Sequence, residues 1–235
     1  AQDADHYDVG RLEFGQTYFW RIDEVNGAPD RTVFRGDIWE FMVEPFAYPL
    51  QSVTATASSS GANNTGPEKT VDGSGLNDQD QHSIDAPDMW LSAGEPDPWI
   101  QYEFDKAYKL HEMWVWNSNQ LIEPFVGFGA KDVTVEVSVD GTDWTALTGP
   151  IQLNQGSGKE DYAANTVLAF SGTMAKFVRI TVHAGWGMVP QAGLSEVRFF
   201  YVPMSARKPN PDIGASDVAV DATLDWRPGR EAVEH

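Results

Sequence analysis

Residues 133–147 read VTVEVSVDGTDWTAL, and this stretch decides the fold class of the chain. Valines at positions 133, 135, 137 and 139 alternate with polar residues, which is the period of a strand with one buried face and one wet face. Asp140 and Gly141 both tolerate positive φ and predict a turn. Trp144 then begins a return strand over residues 144–147. The stretch therefore predicts an antiparallel hairpin, with its valines and Trp144 as scaffold.

Outward from this hairpin, the middle of the chain repeats the same pattern. Short apolar runs alternate with polar residues and end at Gly, Pro, Asn or Asp, and there is almost no helical periodicity. The candidate strands are residues 99–104, 110–117, 133–139, 144–147, 167–170, 177–183 and 196–201. Residues 48–202 therefore predict one β-sandwich or barrel, and the whole chain is predicted to be all-β.

The two flanks are predicted to be separate pieces. Residues 1–47 hold two candidate strands, 17–25 and 37–43, whose linker contains Asn-Gly and Pro-Asp and predicts a hairpin. Two strands alone are marginally stable in water, so this hairpin needs a partner sheet. Residues 203–235 begin with a proline-rich linker, and residues 218–226 (VAVDATLDW) predict two short strands.

Composition narrows the possible partners. The net charge of −19 opposes nucleic acid and anionic membrane surfaces, and it is compatible with divalent cations. The chain has no Cys, which excludes disulfides and thiolate metal sites and fits either a cytosolic or a secreted bacterial protein. No run of eighteen apolar residues predicts membrane insertion. Both ends (AQDADHYDVG and REAVEH) lead us to expect a piece of a longer protein.

Eight phrases of the middle section carry a resemblance to a known family. They are ATASSS (55–60), KTVDG (69–73), MWLS (89–92), PWIQYEF (98–104), MWVWN (113–117), VTVEVSVDGTDWTAL (133–147), KFVRITV (176–182) and LSEVRFF (194–200). In this order they resemble the discoidin family, also called the factor V/VIII type C domain, whose bacterial members include carbohydrate-binding module family 32. The resemblance implies a jelly-roll-like antiparallel β-sandwich for residues 48–202, with binding loops at one end.

The flanks resemble fibronectin type III-like domains in two different halves. Residues 1–47 look like the last strands of one such domain, and residues 203–235 look like a linker and the first strands of the next. This arrangement implies a repeat unit of a large secreted bacterial protein. Whether the halves complement each other, within or between chains, stays open, as does the alternative that both are truncated and partly disordered.

The resemblance also implies a structural Ca²⁺. Family members of the carbohydrate-binding kind hold it with the Asp of a VDG-like phrase, backbone carbonyls and a Glu of the last strand, which match Asp72 and Glu196. The loop 74–83 (SGLNDQDQHS) adds oxygen donors, of which Asn77 and Ser83 are predicted ligands. In the alternative interpretation Asp72 only forms a turn and Glu196 is a solvated or paired strand residue.

A glycan surface is the second predicted site. Family members place one aromatic ring against a sugar and read its hydroxyls with polar side chains. The predicted glycan-binding residues here are Trp186, Asn117, Asn119, His82 and Gln191. Phe125 and Phe128 are interpreted as packing rather than platform residues. The family often has an Arg in the pocket, and no Arg of this sequence can be placed there.

These observations favour a non-catalytic, Ca²⁺-stabilised carbohydrate-binding module at the bacterial cell surface or outside the cell. No nucleophile elbow, H-E-x-x-H motif or phosphate loop predicts an enzyme. The alternative is a structural or adhesive repeat, in which the fibronectin-like halves join neighbouring copies of the chain. The predicted partners are thus a glycan or polysaccharide and other copies of the chain.

Overall fold

The computed structural model describes residues 5–234 and forms two compact units, with the boundary between Phe46 and Ala47. The first unit contains the strands β1 (Thr17–Trp20), β2 (Glu24–Val25), β3 (Val33–Phe34) and β4 (Trp39–Met42). β1 pairs antiparallel with β4, and β2 pairs antiparallel with β3. These pairings confirm the hairpin predicted for this segment. Its assignment to half of a fibronectin-like domain stays a prediction.

The second unit contains most of the regular structure. Its strands are β5 (Tyr48–Pro49), β6 (Val53–Ala57), β7 (Trp90–Leu91), β8 (Trp99–Asn117), β9 (Ala130–Ser138), β10 (Thr145–Ala146), β11 (Ile151–Gln152), β12 (Thr166–Ala169), β13 (Met174–Gly185), β14 (Gly193–Tyr201), β15 (Arg207–Asn210) and β16 (Asp225–Arg227). The short helix α1 (Glu123–Val126) and two 3-10 turns (Pro67–Thr70 and Ala86–Asp88) lie in connections. No helix within residues 5–234 has the length and apolar character to cross a membrane.

Strand β8 organises the sandwich because its two halves pair in different sheets. The first half pairs with β6 and β13, and β13 pairs in turn with β9, which carries β10 and β11. The second half pairs with β12 and β14, and β14 carries β5 and β7. All these pairings are antiparallel, which confirms the predicted fold class.

The sequence predicted two strands where the structure has β8 alone. Residues 99–104 and 110–117 are continuous because β13 pairs with both ends of the intervening stretch, with a register shift between Ala175 and Phe177. A bulge of this kind lets a strand bend without losing its partner.

One hydrophobic cluster fills the space between the sheets. Val135 and Ile180 enter it from one sheet, Val115 and Phe199 enter it from the other, and all four are fully buried. The three valines at 133, 135 and 137 are buried as predicted. Val139 was predicted to join them, but it is 55% exposed because β9 ends at Ser138.

The C-terminal strands differ from the prediction. β15 pairs with β16, so one strand lies in the predicted linker, and residues 218–224 form no strand. The pairing is closed by Asn210, whose Nδ2 donates to Asp225 Oδ2 at 2.8 Å. Pro209 lies within β15, which is compatible with an edge strand that needs no ladder donor at that position.

Candidate functional site

A cleft of about 380 Å³ opens between two loops of the sandwich. Its walls are residues 94–98, which lead into β8, and most of residues 182–192, which connect β13 to β14. Because β8, β13 and β14 are anchored in the core, both loops start and end on rigid strands. Positioning of this kind, with polar groups on loops over a fixed scaffold, is typical of binding sites.

A histidine in the cleft is held on both sides of its ring. His183 Nδ1 lies 2.8 Å from Asp97 Oδ1, and its Nε2 lies 2.8 Å from Thr134 Oγ1. Asp97 has φ +47°, a backbone conformation that is uncommon for a residue other than glycine. These contacts fix the orientation of the imidazole and leave part of it exposed at the rim. His183 is thus a cleft residue that the sequence did not single out.

Gln191 is the predicted glycan-binding residue that lines the cleft. It is partly exposed, and its carboxamide has no hydrogen-bond partner in the part of the chain that the structure describes. A free carboxamide offers both donors and an acceptor to a ligand. Gln191 therefore lines the cleft, and its role in glycan binding stays a prediction.

Trp186 lies in the same loop and is 38% exposed. Its indole Nε1 donates to the carbonyl of Leu153 at 3.0 Å, and Lys131 Nζ lies 5.1 Å from the ring centroid. The ring is therefore anchored at its edge and shares one face with an ammonium group. The remaining exposed surface can still contact a ligand.

Phe125 contradicts its interpretation as a packing residue, because its side chain is 89% exposed. It lies in α1, and the chain just after it touches the Trp186 loop, where Gly187 N–H donates to Gly127 O at 2.9 Å. In the sequence, the exposure of Phe125 was indicated by Pro124 before it and by two glycines after it. An aromatic side chain in such a short turn has few neighbours to cover it.

Asn117 and Asn119 were predicted to bind a glycan, and the structure corrects this. Both are completely buried. Asn117 Nδ2 donates to the carbonyls of Ala130 and Asn154, and Asn119 Nδ2 donates to three further loop carbonyls. Their amides satisfy buried backbone groups that would otherwise be costly to desolvate. They hold loops together and have no surface for a sugar.

His82 is corrected for the same reason. Its ring is fully buried, Nδ1 lies 3.0 Å from the carbonyl of Ser83, and Nε2 has no hydrogen-bond partner in the described part of the chain. The ring fills the space next to Gly75, where an added Cβ would lie 2.3 Å from Nε2. Burial lowers the pKa of His82 and favours the neutral imidazole. His82 is a core side chain of the long loop.

Two of the predicted metal ligands, Asp72 and Glu196, are neighbours. Glu196 on β14 is 95% buried, and its Oε2 has no hydrogen-bond partner among residues 5–234. Burial, and to a smaller extent the nearby Asp72 carboxylate, raises the pKa of Glu196 to about 8. A buried acceptor beside a second carboxylate is the environment that a cation stabilises. Asp72 also accepts the N–H of Ser74 at 2.9 Å and lies 3.4 Å from Lys69 Nζ, so Glu196 Oε2 is the free oxygen of this pair that fits a calcium ion.

The other two predicted metal ligands are engaged elsewhere. Asn77 Oδ1 accepts the N–H groups of Gln79 and Gln81, and Ser83 Oγ donates to Asp88 Oδ2 at 2.7 Å. Within residues 5–234, no three His, Asp or Glu side chains are grouped closely enough to hold a metal ion by themselves. A calcium ion at Asp72 and Glu196 would need backbone carbonyls to complete its shell, which Ca²⁺ readily accepts.

Comparison with known proteins identifies the sandwich. The family model described as F5/8 type C domain matches residues 54–194. A search of curated proteins found no match.

Three solved structures are similar to the chain, and the one with a TM-score of 0.50 has the same fold. CBM32-3 from a family 31 glycoside hydrolase of Clostridium perfringens is 21% identical, with a TM-score of 0.50 over 66% of this chain and 95% of that one. The C. perfringens module CpGH89CBM32-5, in complex with GalNAc-β-1,3-galactose, is 17% identical, with a TM-score of 0.46 over 65% and 99% of the two chains. The family 32 module of C. perfringens NanJ, in complex with galactose, is 15% identical, with a TM-score of 0.47 over 66% and 98%.

Proposed function

The chain belongs to the F5/8 type C domain family, and on that premise we propose that it is a non-catalytic carbohydrate-binding module. The observation that carries the proposal is the cleft of about 380 Å³, with the free carboxamide of Gln191 and the fixed imidazole of His183 at its walls. Exposed aromatic surface lies on the adjoining loops, at Phe125 and Trp186. Flat rings beside fixed polar groups suit the apolar face and the hydroxyls of a sugar.

The charges of the cleft favour a neutral sugar. Glu95 and Asp97 line it, and no Lys or Arg does. The Glu95 carboxylate is held by the hydroxyls of Ser58 and Ser59, the latter at 2.6 Å. A uronic acid or sulfated sugar would meet uncompensated negative charge there, so we expect neutral hexoses and N-acetylhexosamines to bind more tightly.

Binding at this open cleft is expected to be weak. One ring–sugar contact contributes about 1 kcal/mol, and each net hydrogen bond contributes about 1 kcal/mol. Part of the energy of three or four such contacts offsets the loss of translational and rotational freedom on binding, so we expect a Kd of about 1 mM or weaker. The affinity needed for function would then come from several modules acting together on one polysaccharide.

The proposal is tested by titrating the protein with neutral glycans and following amide and indole chemical shifts by NMR. Galactose and GalNAc-β-1,3-galactose are the first probes, and a glycan array extends them. We expect saturable binding that Phe125→Ala and Gln191→Ala each weaken about fivefold, or roughly 1 kcal/mol. Val167→Ala is the matched control, because Val167 is a 54% exposed apolar residue on β12, outside the cleft. Absence of saturable binding to every glycan tested refutes the proposal.

We also propose that a structural Ca²⁺ stabilises the module and that the module acts outside the cell. Asp72 and Glu196, with carbonyls of the 69–83 loop, would hold the ion, which would neutralise the buried carboxylate. Extracellular modules use Ca²⁺ sites of about 0.1–1 mM affinity, which fill only outside the cell. The orphan Oε2 of Glu196 supports this part of the proposal.

A second candidate function is the joining of neighbouring units in a modular repeat protein. In the first unit, Trp20 and Trp39 form a cross-strand pair with centroids 4.7 Å apart, yet remain 49% and 45% exposed. Trp226 on β16 is likewise 43% exposed. Two-stranded hairpins with exposed aromatic side chains and open edges favour pairing with another sheet.

A further inference from the structure

Glu123 is a buried carboxylate that neither the cleft nor the metal site contains. It begins α1, directly after the loop that follows β8, and is completely buried. Its Oε1 accepts the N–H of Gly129 at 2.8 Å, and its Oε2 accepts the N–H of Phe128 at 3.1 Å. Among residues 5–234 no Lys, Arg or His forms an ion pair with it. Backbone amides therefore take the place of a counter-ion.

The segment that Glu123 holds is the support of the cleft loop. Residues 127–129 offer three carbonyls, and each accepts an N–H from the loop between β13 and β14 or from the first residue of β14. Gly187 donates to Gly127 at 2.9 Å, Gly193 to Phe128 at 2.9 Å, and Trp186 to Gly129 at 3.0 Å. The amides of this segment thus bind Glu123, while its carbonyls bind the loop that carries Trp186 and Gln191.

The two backbones also touch directly. A Cβ added at Gly187 would lie 1.7 Å from the carbonyl oxygen of Val126, and one added at Gly129 would lie 3.0 Å from Glu123 Oε1. Gly127 has φ +70°, a conformation that favours glycine. With no side chains between them, a movement of residues 127–129 has to move Gly187 and its neighbours.

We propose that Glu123 is a positioning residue for the loop that carries the candidate glycan site. A carboxylate suits this role because two oxygens are needed for two N–H groups, whereas a glutamine has one acceptor oxygen. Burial raises the pKa of the Glu123 carboxyl, which shows that the ionised form is costly here, and an apolar side chain would avoid that cost if packing were the only requirement. The functional meaning of this role rests on the proposed glycan binding, but the geometry does not.

The test is Glu123→Gln, a nearly isosteric change, followed by amide hydrogen exchange in NMR. We expect exchange at Trp186, Gly187 and Gly193 to become about tenfold faster, since local opening is set by the bonds lost in that region. Exchange at Ile180, in the core of β13, should stay unchanged. Affinity for galactose or GalNAc-β-1,3-galactose should fall with the loss of loop protection. Wild-type exchange rates at Trp186 and Gly187 in this variant would overturn the proposal.

Ser138→Ala is the matched control. Ser138 is also buried, and its Oγ accepts two backbone N–H groups, those of Gly141 and Asp140 at 2.9 and 3.3 Å, in a different turn. This variant should speed exchange in that turn and leave Trp186 and the glycan affinity as they are. If it loosens the Trp186 loop to the same extent, the effect of Glu123 is general destabilisation and the positioning role is rejected.

A measurement on the wild-type protein covers the case in which Glu123→Gln does not fold. In native-state exchange at low denaturant, Phe128, Gly129, Trp186 and Gly187 should open as one unit with a common free energy. Independent opening of the two loops overturns the proposal. If these amides behave as expected but the wild-type protein binds no glycan, the proposed function fails and the positioning role stands.

Discussion

At the scale of single residues, Glu196 Oε2 predicts how calcium changes stability. Because this atom is buried without a partner among residues 5–234, the protein without calcium carries the cost of a buried carboxyl group that lacks a hydrogen bond. We expect Ca²⁺ to raise the Tm above that of the protein in chelator. At a free Ca²⁺ concentration one hundred times Kd, the free energy of unfolding should rise by about 2.7 kcal/mol. In Glu196→Gln the gain should vanish, and the chelated variant should be at least as stable as the chelated wild type. Calorimetry of the wild type and of Glu196→Gln, each in EDTA and in Ca²⁺, measures the four melting temperatures.

If Ca²⁺ raises the free energy of unfolding equally in wild type and in Glu196→Gln, the ion binds somewhere else. Mg²⁺ is the control ion, since it holds its waters tightly and requires a near-ideal octahedron, and it should stabilise less. Asn77→Ala tests whether Asn77 binds the calcium ion, as the sequence predicted, or only bonds within its own loop, as the structure shows. Its Oδ1 is used by two amides of its own loop, so the variant should keep the calcium gain.

At the scale of elements, the connection between β9 and β10 predicts a dependence on acid. Asp140 Oδ1 accepts the N–H groups of Thr142 and Asp143 at 2.8 and 2.9 Å, and these bonds hold the pKa of its carboxyl well below the ordinary 3.8. A carboxyl with a lowered folded-state pKa contributes stability above its unfolded-state pKa and loses it as pH falls towards the folded value. From about pH 5 to about pH 2, wild-type unfolding free energy should fall more steeply than that of Asp140→Asn.

Urea unfolding at a series of pH values measures this difference, because all other carboxyls titrate in both proteins. Asp143→Asn is the control, since it removes the same charge from the same turn but no acceptor that the turn uses. Parallel pH curves for wild type and Asp140→Asn would contradict the prediction. A difference as large in Asp143→Asn would show an effect of net charge alone.

The same connection shows what local sequence predicts and what it does not. The alternation of residues 133–137 identified β9, because a period of two depends on neighbours along the chain. The length of the turn was not predictable in this way. The Asp140 carboxylate accepts the N–H groups of the residues two and three positions ahead, which lengthens the turn. For this reason β10 begins at Thr145, one residue after the expected start. The continuity of β8 likewise depended on β13, which lies more than fifty residues away.

At the scale of the whole molecule, the order of phrases predicted the sandwich, whereas exposure of single side chains depended on tertiary contacts. Asn117 and Asn119 looked like ligand donors in loops, but other loops close over them. Phe125 looked like packing, but nothing covers it. Asp72 and Glu196 lie close together as the resemblance implied, although they are 124 positions apart in the sequence, and their role as calcium ligands stays a prediction. The presence of a polar residue in a loop therefore does not reveal whether its side chain is buried and bonds to the backbone of other loops or is exposed and can contact a ligand.

Exposed apolar side chains of the first unit predict that the chain associates with itself. Ile38 and Met42 are 68% and 72% exposed, and the rings of Trp20, Trp39 and Phe41 are 41–49% exposed. Monomeric proteins rarely leave so many large apolar groups and strand edges open. We expect weight-average mass to rise with concentration in sedimentation velocity, and Trp39→Ala to shift the rise to higher concentration. Val167→Ala should have no such effect. A mass that stays monomeric at every concentration would contradict the prediction that copies of the chain pair through this hairpin.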